Sequence, residues 1–284
     1  MELVKQIRNQ SPFKQVLILL LIGVVASFVL STLSLLIYQA IVGEDLSMYP
    51  MLMSSEQPVA FMFVYHLPLQ LGMFLLPGVL YAKIDKVERS VSAVNIFWSV
   101  LAFVGVLLIL PFLTAINIEI LNAFGAYDGA MASKETSDTI VLNLIEGKSV
   151  IVFGVAVLVI AIITGVAEEF FFRRFVYGHL KRNAGKKWLA LLVSSLFFAL
   201  LHGNYIQLIP LLTFGMLLAI VYDLSGTIWL GITLHALNNA LNLYWMYTDS
   251  FPEVLEEMNI LVSLIGVGLL LIFLFVKKSN LFNN

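Results

Sequence analysis

Long apolar runs recur along this chain and constrain its fold more than any other sequence feature. About 20 helical residues cross the ~30 Å hydrocarbon core of a bilayer, and eight runs of that order are present. Because backbone groups inside a bilayer must satisfy their own hydrogen bonds, these runs predict an all-α polytopic membrane protein. The predicted spans are residues 16–42, 59–82, 94–121, 150–180, 187–203, 206–224, 228–247 and 258–276.

The composition agrees with this fold class and excludes several functions. Hydrophobic residues make up 60% of the 284 residues and charged residues 12%, where soluble domains carry about 25% charged residues. The net charge is -2 and no basic patch is present, so a nucleic-acid partner is not expected. The absence of cysteine excludes thiol catalysis, cysteine metal sites and disulfides.

The chain reads as a single membrane domain over residues 1–284. No Pro/Ser/Gly linker and no fixed-period repeat divides it. The first apolar run is longer than the 7–15 residues of a signal-peptide core, so we interpret it as a retained signal anchor. Residues 123–148 are rich in Gly, Ala, Ser and Asp and are predicted to form an external loop.

The distribution of basic residues predicts the orientation of the chain. With eight spans, 14 of the 16 lysines and arginines fall on one side of the membrane. By the positive-inside rule that side is cytoplasmic, and it holds both termini. The residues on that side are Lys5, Arg8, Lys14, Lys83, Lys86, Arg89, Arg173, Arg174, Lys181, Arg182, Lys186, Lys187, Lys277 and Lys278.

Four charges interrupt the fourth span, where Glu168 and Glu169 are followed by three phenylalanines and then Arg173 and Arg174. Each charge near the centre of a membrane helix costs about 2.5–3.5 kcal/mol on insertion scales. Mutual pairing, a water-filled cavity or an interfacial position can offset that cost. The first two are features of an intramembrane active site, so this stretch predicts one.

Helical spacing assigns different jobs to the two glutamates. Glu169 and Arg173 are four residues apart with the acid first, the better orientation for an ion pair. Glu168 has Phe172 at the same spacing. We therefore predict Glu169 as the paired carboxylate that holds the helix, Glu168 as the free one, and Arg174 as snorkelling toward the cytoplasm.

Polar residues in two later spans complete the candidate site. His235 and Asn239 share a helix face, and Phe198 lies one turn before His202. Helical rise places these groups and Glu168 ~14–23 Å from the cytoplasmic ends of their helices, so they are expected in one layer. A buried carboxylate and an imidazole can activate a water, while a second imidazole and a carboxamide stabilise an oxyanion.

We therefore predict hydrolysis of an amide bond. Glu168 and His202 would activate the water, and His235 and Asn239 would stabilise the transition state. His66 and His179 are interpreted as a structural and an interfacial residue. Asn238 and Asn242 are alternatives to Asn239 but lack the four-residue spacing from His235, and Asp223 has no second intramembrane Asp with which to form a dyad.

Three ordered motifs resemble those of a known family. They read EExxxR (Glu168, Glu169, Arg173), FxxxH (Phe198, His202) and HxxxN (His235, Asn239). Together they resemble the CAAX protease and bacteriocin-processing family of intramembrane endopeptidases, which includes lysostaphin-resistance-like members. The resemblance covers roughly residues 150–247, the expected catalytic core.

The resemblance implies an eight-helix core with a cavity that opens to the cytoplasm. The implied substrates are lipidated or hydrophobic peptides, cleaved near their C-termini, with roles in bacteriocin maturation and self-immunity. The expected location is a bacterial cytoplasmic membrane, and the expected partners are the bilayer and such a substrate.

Two mechanisms and two other function classes stay open on the sequence. Glu168, His202, His235 and a water would satisfy the three-ligand pattern of catalytic zinc. We favour metal-free catalysis with no required cofactor, because Asn239 is a poor zinc ligand and then has an oxyanion role. A transporter or a non-catalytic immunity protein could use the same polar layer, although no internal repeat supports a transporter.

Overall fold

The structure is a computed structural model that describes residues 2–43, 50–85, 92–183, 185–250, 252 and 259–282. The described residues form an all-helical fold, and a 3₁₀ turn covers Tyr205–Gln207. The helices are α1 Glu2–Arg8, α2 Pro12–Val42, α3 Pro50–Glu56, α4 Pro58–Ile84, α5 Ala93–Ala123, α6 Tyr127–Ile145, α7 Val150–Asn183, α8 Lys187–Leu201, α9 Leu208–Ser225, α10 Ile228–Thr248 and α11 Ile260–Phe282. Lys86 and Arg89, two residues of the predicted basic side, lie outside the described residues.

The predicted class of polytopic membrane protein is confirmed. Six segments are long and apolar enough to cross a bilayer among the described residues. Of the other two predicted spans, α8 has 15 residues, and α10 carries a histidine and three asparagines that reduce its apolar character. Eight crossings therefore stay a prediction. The six segments are α2, α4, α5, α7, Tyr205–Ser225 and Ile260–Lys277.

The prediction of a loop at residues 123–148 is wrong, because this stretch contains helix α6. Its Ala, Met, Lys and Glu residues favour a helix, and these outweigh the few loop-forming residues on which the prediction relied. The apolar end of α6 also has a partner. Leu144 and Ile145 are buried in a cluster with Met62, Val159 and Leu243.

The chain divides into two compact units. Three helices, α6, α7 and α10, contribute residues to both. The first unit contains Met1–Val87, Thr139–His179 and His235–Asp249, and the second contains Glu88–Asp138, Leu180–Leu234 and Ser250–Asn284.

In the first unit, α2, α4, α7 and α10 pack side by side. Contacts between α4 and α7 advance together along both helices, from His66 with Thr164 to Phe74 with Phe171, so these two helices run parallel. The contacts of α10 run the other way along α7. Tyr247 of α10 stacks on Phe153 near the start of α7, with ring centroids 4.3 Å apart, and His235 meets the later Glu169.

Glycines allow the helix backbones of the first unit to approach each other closely. A Cβ atom on Gly78 of α4 would lie 2.5 Å from the backbone of Phe170 in α7, and one on Gly72 would lie 2.3 Å from the backbone of Ser27 in α2. Neither distance leaves room for a methyl group. Helices in membranes associate through such small residues because lipid tails are as apolar as the side chains that would otherwise pack there.

Wide π-helical turns interrupt both α4 and α7. Those of α4, Met62–His66 and Gln70–Leu75, each lie just before a proline, Pro68 or Pro77. A proline lacks the amide proton that would close the preceding turn, and its ring presses on that turn. The wide turns of α7, Val157–Ile163 and Phe170–Tyr177, contain no proline, and turns of this kind occur frequently at functional sites.

The second unit contains α5, α8, α9 and α11. Helix α5 packs against α9 and α11, and α8 packs against α9. Gly215 of α9 lies against Ser195 and Phe198 of α8. Near the end of α9, the carboxylate of Asp223 forms ion pairs with Lys181 and Lys187. These two lysines balance the charge of Asp223, which has no second intramembrane aspartate with which to form a catalytic dyad.

The glycine contact predicts a difference between two matched substitutions. Gly78→Ala should lower the free energy of unfolding by about 1–3 kcal/mol, because the new methyl group meets the backbone of Phe170. Gly154→Ala, in α7, should be neutral or stabilising, because no atom lies within 4 Å of its Cβ position. Thermal unfolding of both variants in detergent measures the difference, and equal midpoints would contradict the close approach.

Candidate active site

Two adjacent carboxylates and one imidazole form the centre of the polar group in the first unit. Glu168 and Glu169 come from α7 and His235 from α10, and all three are buried. The His235 Nδ1 atom lies 3.0 Å from Glu169 Oε1, and its Nε2 atom lies 3.7 Å from Glu168 Oε2. The imidazole therefore faces both glutamates, one through each nitrogen.

The contact with Glu169 fixes which nitrogen of His235 carries a proton. An ionised carboxylate only accepts hydrogen bonds, so Nδ1–H of His235 donates to Glu169. The Nε2 atom then faces Glu168. A carboxylate that orients one imidazole nitrogen while the other faces the reacting groups is a recurrent arrangement in enzymes that use histidine as an acid, base or ligand.

The predicted ion pair between Glu169 and Arg173 is confirmed. Arg173 Nε lies 3.2 Å from Glu169 Oε2, and both side chains are excluded from solvent. The guanidinium also lies over the ring of Phe172, 5.8 Å from its centroid, within cation–π range. Glu169 thus holds Arg173 with one oxygen and His235 with the other, a second contact that helical spacing alone did not predict.

Helices α7 and α10 meet closely enough for this geometry because of Gly165. A Cβ atom there would lie 3.1 Å from the amide nitrogen of Ala236. Gly165 precedes Glu169 by one turn, and Ala236 follows His235 directly. The glycine therefore brings the two helices together at the level where the carboxylates meet the imidazole.

Asn239 lies one helical turn after His235 on α10 and is half-buried. The helix is continuous through both residues, so they share a face as predicted. Asn242 donates instead to the backbone carbonyl of Asn238. The role of Asn239 in stabilising an oxyanion stays a prediction.

His202 belongs to the second unit and lies directly after the end of α8, with its side chain exposed. Its Nδ1 atom is 2.7 Å from the backbone carbonyl oxygen of Phe198, and the two rings are 4.4 Å apart between centroids. Because a carbonyl only accepts, Nδ1 is the donor, and in the neutral ring the lone pair lies on Nε2. The FxxxH spacing thus sets the tautomer of His202, while its role with Glu168 stays a prediction.

The turn that follows His202 is held by two residues that the sequence analysis missed. The Nδ2 group of Asn117, buried in α5, donates to the carbonyls of Tyr205 (2.8 Å) and Ile206 (3.0 Å), and its Oδ1 atom accepts from the amide of Ile209. The Oγ atom of Ser133 donates to the carbonyl of Gly203 at 2.8 Å. An asparagine inside an apolar span is the signal that would have identified Asn117.

The structure corrects the interpretation of Arg174 and adds contacts for His179 and His66. Arg174 does not snorkel but is buried, because its Nη2 group donates to the backbone carbonyl of Asp85 beyond the end of α4. His179 is buried and makes a T-shaped ring contact with Tyr81, and its interfacial depth stays a prediction. His66 contacts Thr164, one turn before Glu168, so it lies near the candidate site.

The alternative of a zinc site has no support from the described residues. A catalytic zinc usually has three protein ligands. No three histidine, aspartate or glutamate side chains within the described ranges are grouped so that they could hold a metal ion. Whether Glu168, His202 and His235 hold a zinc ion stays a prediction, which chelation of the purified protein tests.

The buried ion pair predicts a strong loss of stability when one partner is removed. Glu169→Ala leaves Arg173 as an uncompensated buried charge, which should lower the free energy of unfolding by about 3–5 kcal/mol. The double variant Glu169→Gln/Arg173→Met removes both charges and should recover much of that loss. Thermal unfolding of the purified variants measures both values, and a Glu169→Ala protein as stable as the wild type would contradict the assignment.

Comparison with known proteins adds one match. Residues 151–241 match the family model of the Rce1-like type II CAAX prenyl endopeptidases, and this segment contains the EExxxR, FxxxH and HxxxN motifs. No curated protein and no solved structure matches the chain. Residues 151–241 are therefore a domain of the Rce1-like type II CAAX prenyl endopeptidase family, also called the CPBP family.

Proposed function

We propose that this integral membrane protein is an intramembrane endopeptidase that hydrolyses peptide bonds of lipidated or hydrophobic peptides. The observation that carries the proposal is the contact of His235 with two buried carboxylates inside the matched family segment. Charged groups within membrane spans mark functional sites by default. A carboxylate and an imidazole in such a site are the groups that water activation requires.

In the proposed reaction, Glu168 takes a proton from a water molecule as the water oxygen attacks the peptide carbonyl carbon. The carbonyl oxygen becomes an oxyanion, which accepts hydrogen bonds from the Asn239 carboxamide and from His235 when its Nε2 atom carries a proton. The proton on Glu168 then passes to the leaving nitrogen as the carbon–nitrogen bond breaks. His202, with its Nε2 lone pair, accepts a hydrogen bond from the attacking water.

The other buried residues keep this group in place. Glu169 orients His235 through Nδ1 and neutralises Arg173, so two of the costly intramembrane charges offset each other. Phe198 supplies the carbonyl that fixes the tautomer of His202. We assign these residues to structural support of the site, because none of them needs to touch the substrate.

We also propose eight crossings, with both termini and the open side of the site facing the cytoplasm. Helix directions in the first unit support an alternating path: α4 and α7 run parallel, and α10 runs antiparallel to α7. These directions fit a chain in which α5 crosses between α4 and α7, and α8 and α9 cross as a pair before α10. Residues 150–247 form the catalytic core on this proposal.

Substitution of the proposed base, Glu168, distinguishes an endopeptidase from a transporter or a non-catalytic immunity protein. Glu168→Ala should lower peptide cleavage by about 10²–10⁴-fold while the thermal unfolding midpoint stays near that of the wild type. The exposed Glu146, changed to Ala, is the control and should cleave normally. Comparative peptidomics of membranes that contain wild-type, Glu168→Ala or His202→Ala protein would identify the substrate, and equal product levels in all three would refute the mechanism.

Metal-free catalysis makes a second prediction. Prolonged treatment of the purified protein with 1,10-phenanthroline should leave the cleavage rate unchanged, because the proposed water is activated by Glu168 and His202 alone. Elemental analysis should find no stoichiometric zinc. Loss of cleavage on chelation, with recovery on addition of Zn²⁺, would contradict the proposal and favour the metal-dependent alternative.

A further inference from the structure

A third histidine lies close to the candidate site and has no role in the mechanism above. His66 is in α4, at the end of the wide turn Met62–His66. Its Nε2 atom lies 2.8 Å from the hydroxyl oxygen of Thr164 in α7. No sequence motif of the family match includes His66, which lies outside residues 151–241.

The hydrogen bonds of Thr164 determine the direction of this contact. The Thr164 hydroxyl lies 3.2 Å from the carbonyl oxygen of Val159, to which it donates its single proton. A hydroxyl that has donated its proton can only accept from a further partner. Nε2–H of His66 therefore donates to Thr164, and the chain of bonds runs from His66 through Thr164 to the backbone of α7.

This chain of bonds ends where α7 changes its winding. Val159 lies in the wide turn Val157–Ile163, and the bond from Thr164 to Val159 spans five residues, as the backbone bonds of such a turn do. From Thr164 to Glu169 the helix is α-helical again. Glu168 is four residues after Thr164 on this short segment, so the two side chains share a face.

His66 also lies close enough to Glu168 for the charges of the two side chains to influence each other. In the described part of this unit, charged or titratable groups near Glu168 include Glu169 and Arg173 on α7 and His235 on α10. His66 adds a group from α4. A shift of the short helical segment would therefore move Glu168 relative to His235, which comes from a different helix.

We propose that His66 is a positioning residue of the active site, which holds Thr164 and thereby the helical turn that carries Glu168. This inference rests on the proposed function, because the consequence of positioning is measured in peptide cleavage. His66 acts through Thr164 and is not assigned contact with the substrate. A displacement of about 1 Å in a reacting group can cost on the order of 100-fold in rate, so a remote hydrogen bond of this kind can have a large effect.

The test compares three variants of the full chain in lipid vesicles. His66→Phe keeps a ring but removes the donor, while His66→Gln restores a donor to Thr164. Gln70→Leu changes another buried polar residue of α4, one turn further on, and is the matched control. The probe is a quenched fluorescent peptide with a prenylated cysteine near its C-terminus.

We expect His66→Phe to lower kcat by about 10- to 100-fold with KM nearly unchanged, and His66→Gln to recover most of the loss. Gln70→Leu should cleave at the wild-type rate, and all three should unfold at similar temperatures. A wild-type kcat in His66→Phe would overturn the proposal. So would an equal loss in Gln70→Leu, or a failure of His66→Gln to recover any activity.

An infrared pH titration separates this proposal from the proposed function, because it needs no turnover. The carboxylate band of Glu168, assigned by its loss in Glu168→Gln, should change in His66→Phe and return in His66→Gln. A Glu168 carboxylate band in His66→Phe that is identical to that of the wild type would overturn the positioning role. A further outcome is that the band changes as expected while neither the wild type nor Glu168→Ala cleaves any peptide. In that case the positioning role stands and the endopeptidase function is refuted.

Discussion

The buried carboxylate of Glu169 is the interaction on which the first unit depends. One of its oxygens faces the guanidinium of Arg173 and the other accepts from His235, so a single side chain joins α7 to α10 and balances a cation inside an apolar region. Without it, Arg173 would be buried with its charge uncompensated, at a cost of several kcal/mol. The same contact fixes the proton on His235 Nδ1 and leaves Nε2 toward Glu168.

Close helix contacts make this arrangement possible. Carboxylate and imidazole side chains are short, and they meet across two helices only where the backbones approach each other. Gly165 provides that approach between α7 and α10, and Gly78 provides it between α7 and α4. His66 ends a wide turn of α4 and Thr164 directly follows one of α7, and the two side chains meet although neither belongs to a recognisable motif.

Local spacing along one helix predicted part of the site correctly. The pair Glu169–Arg173, the contact of Phe198 with His202 and the shared face of His235 and Asn239 all follow from an interval of four residues. Spacing along one helix does not predict which residues of different helices make contact. The bond from Glu169 to His235, the burial of Arg174 through Asp85 and the contact of His66 with Thr164 depend on which helix faces which, and hydropathy does not encode this.

The hydrogen bonds around the turn after His202 have a consequence for how the family segment can be used. Asn117 and Ser133 hold that turn from α5 and α6, yet both lie before residue 151, where the family match begins. An excised or grafted segment of residues 151–241 would keep every motif residue and lose these supports. The minimal transplantable unit is therefore longer than the conventional domain boundary, and chimeras that exchange the earlier helices would be expected to alter His202 without touching a motif.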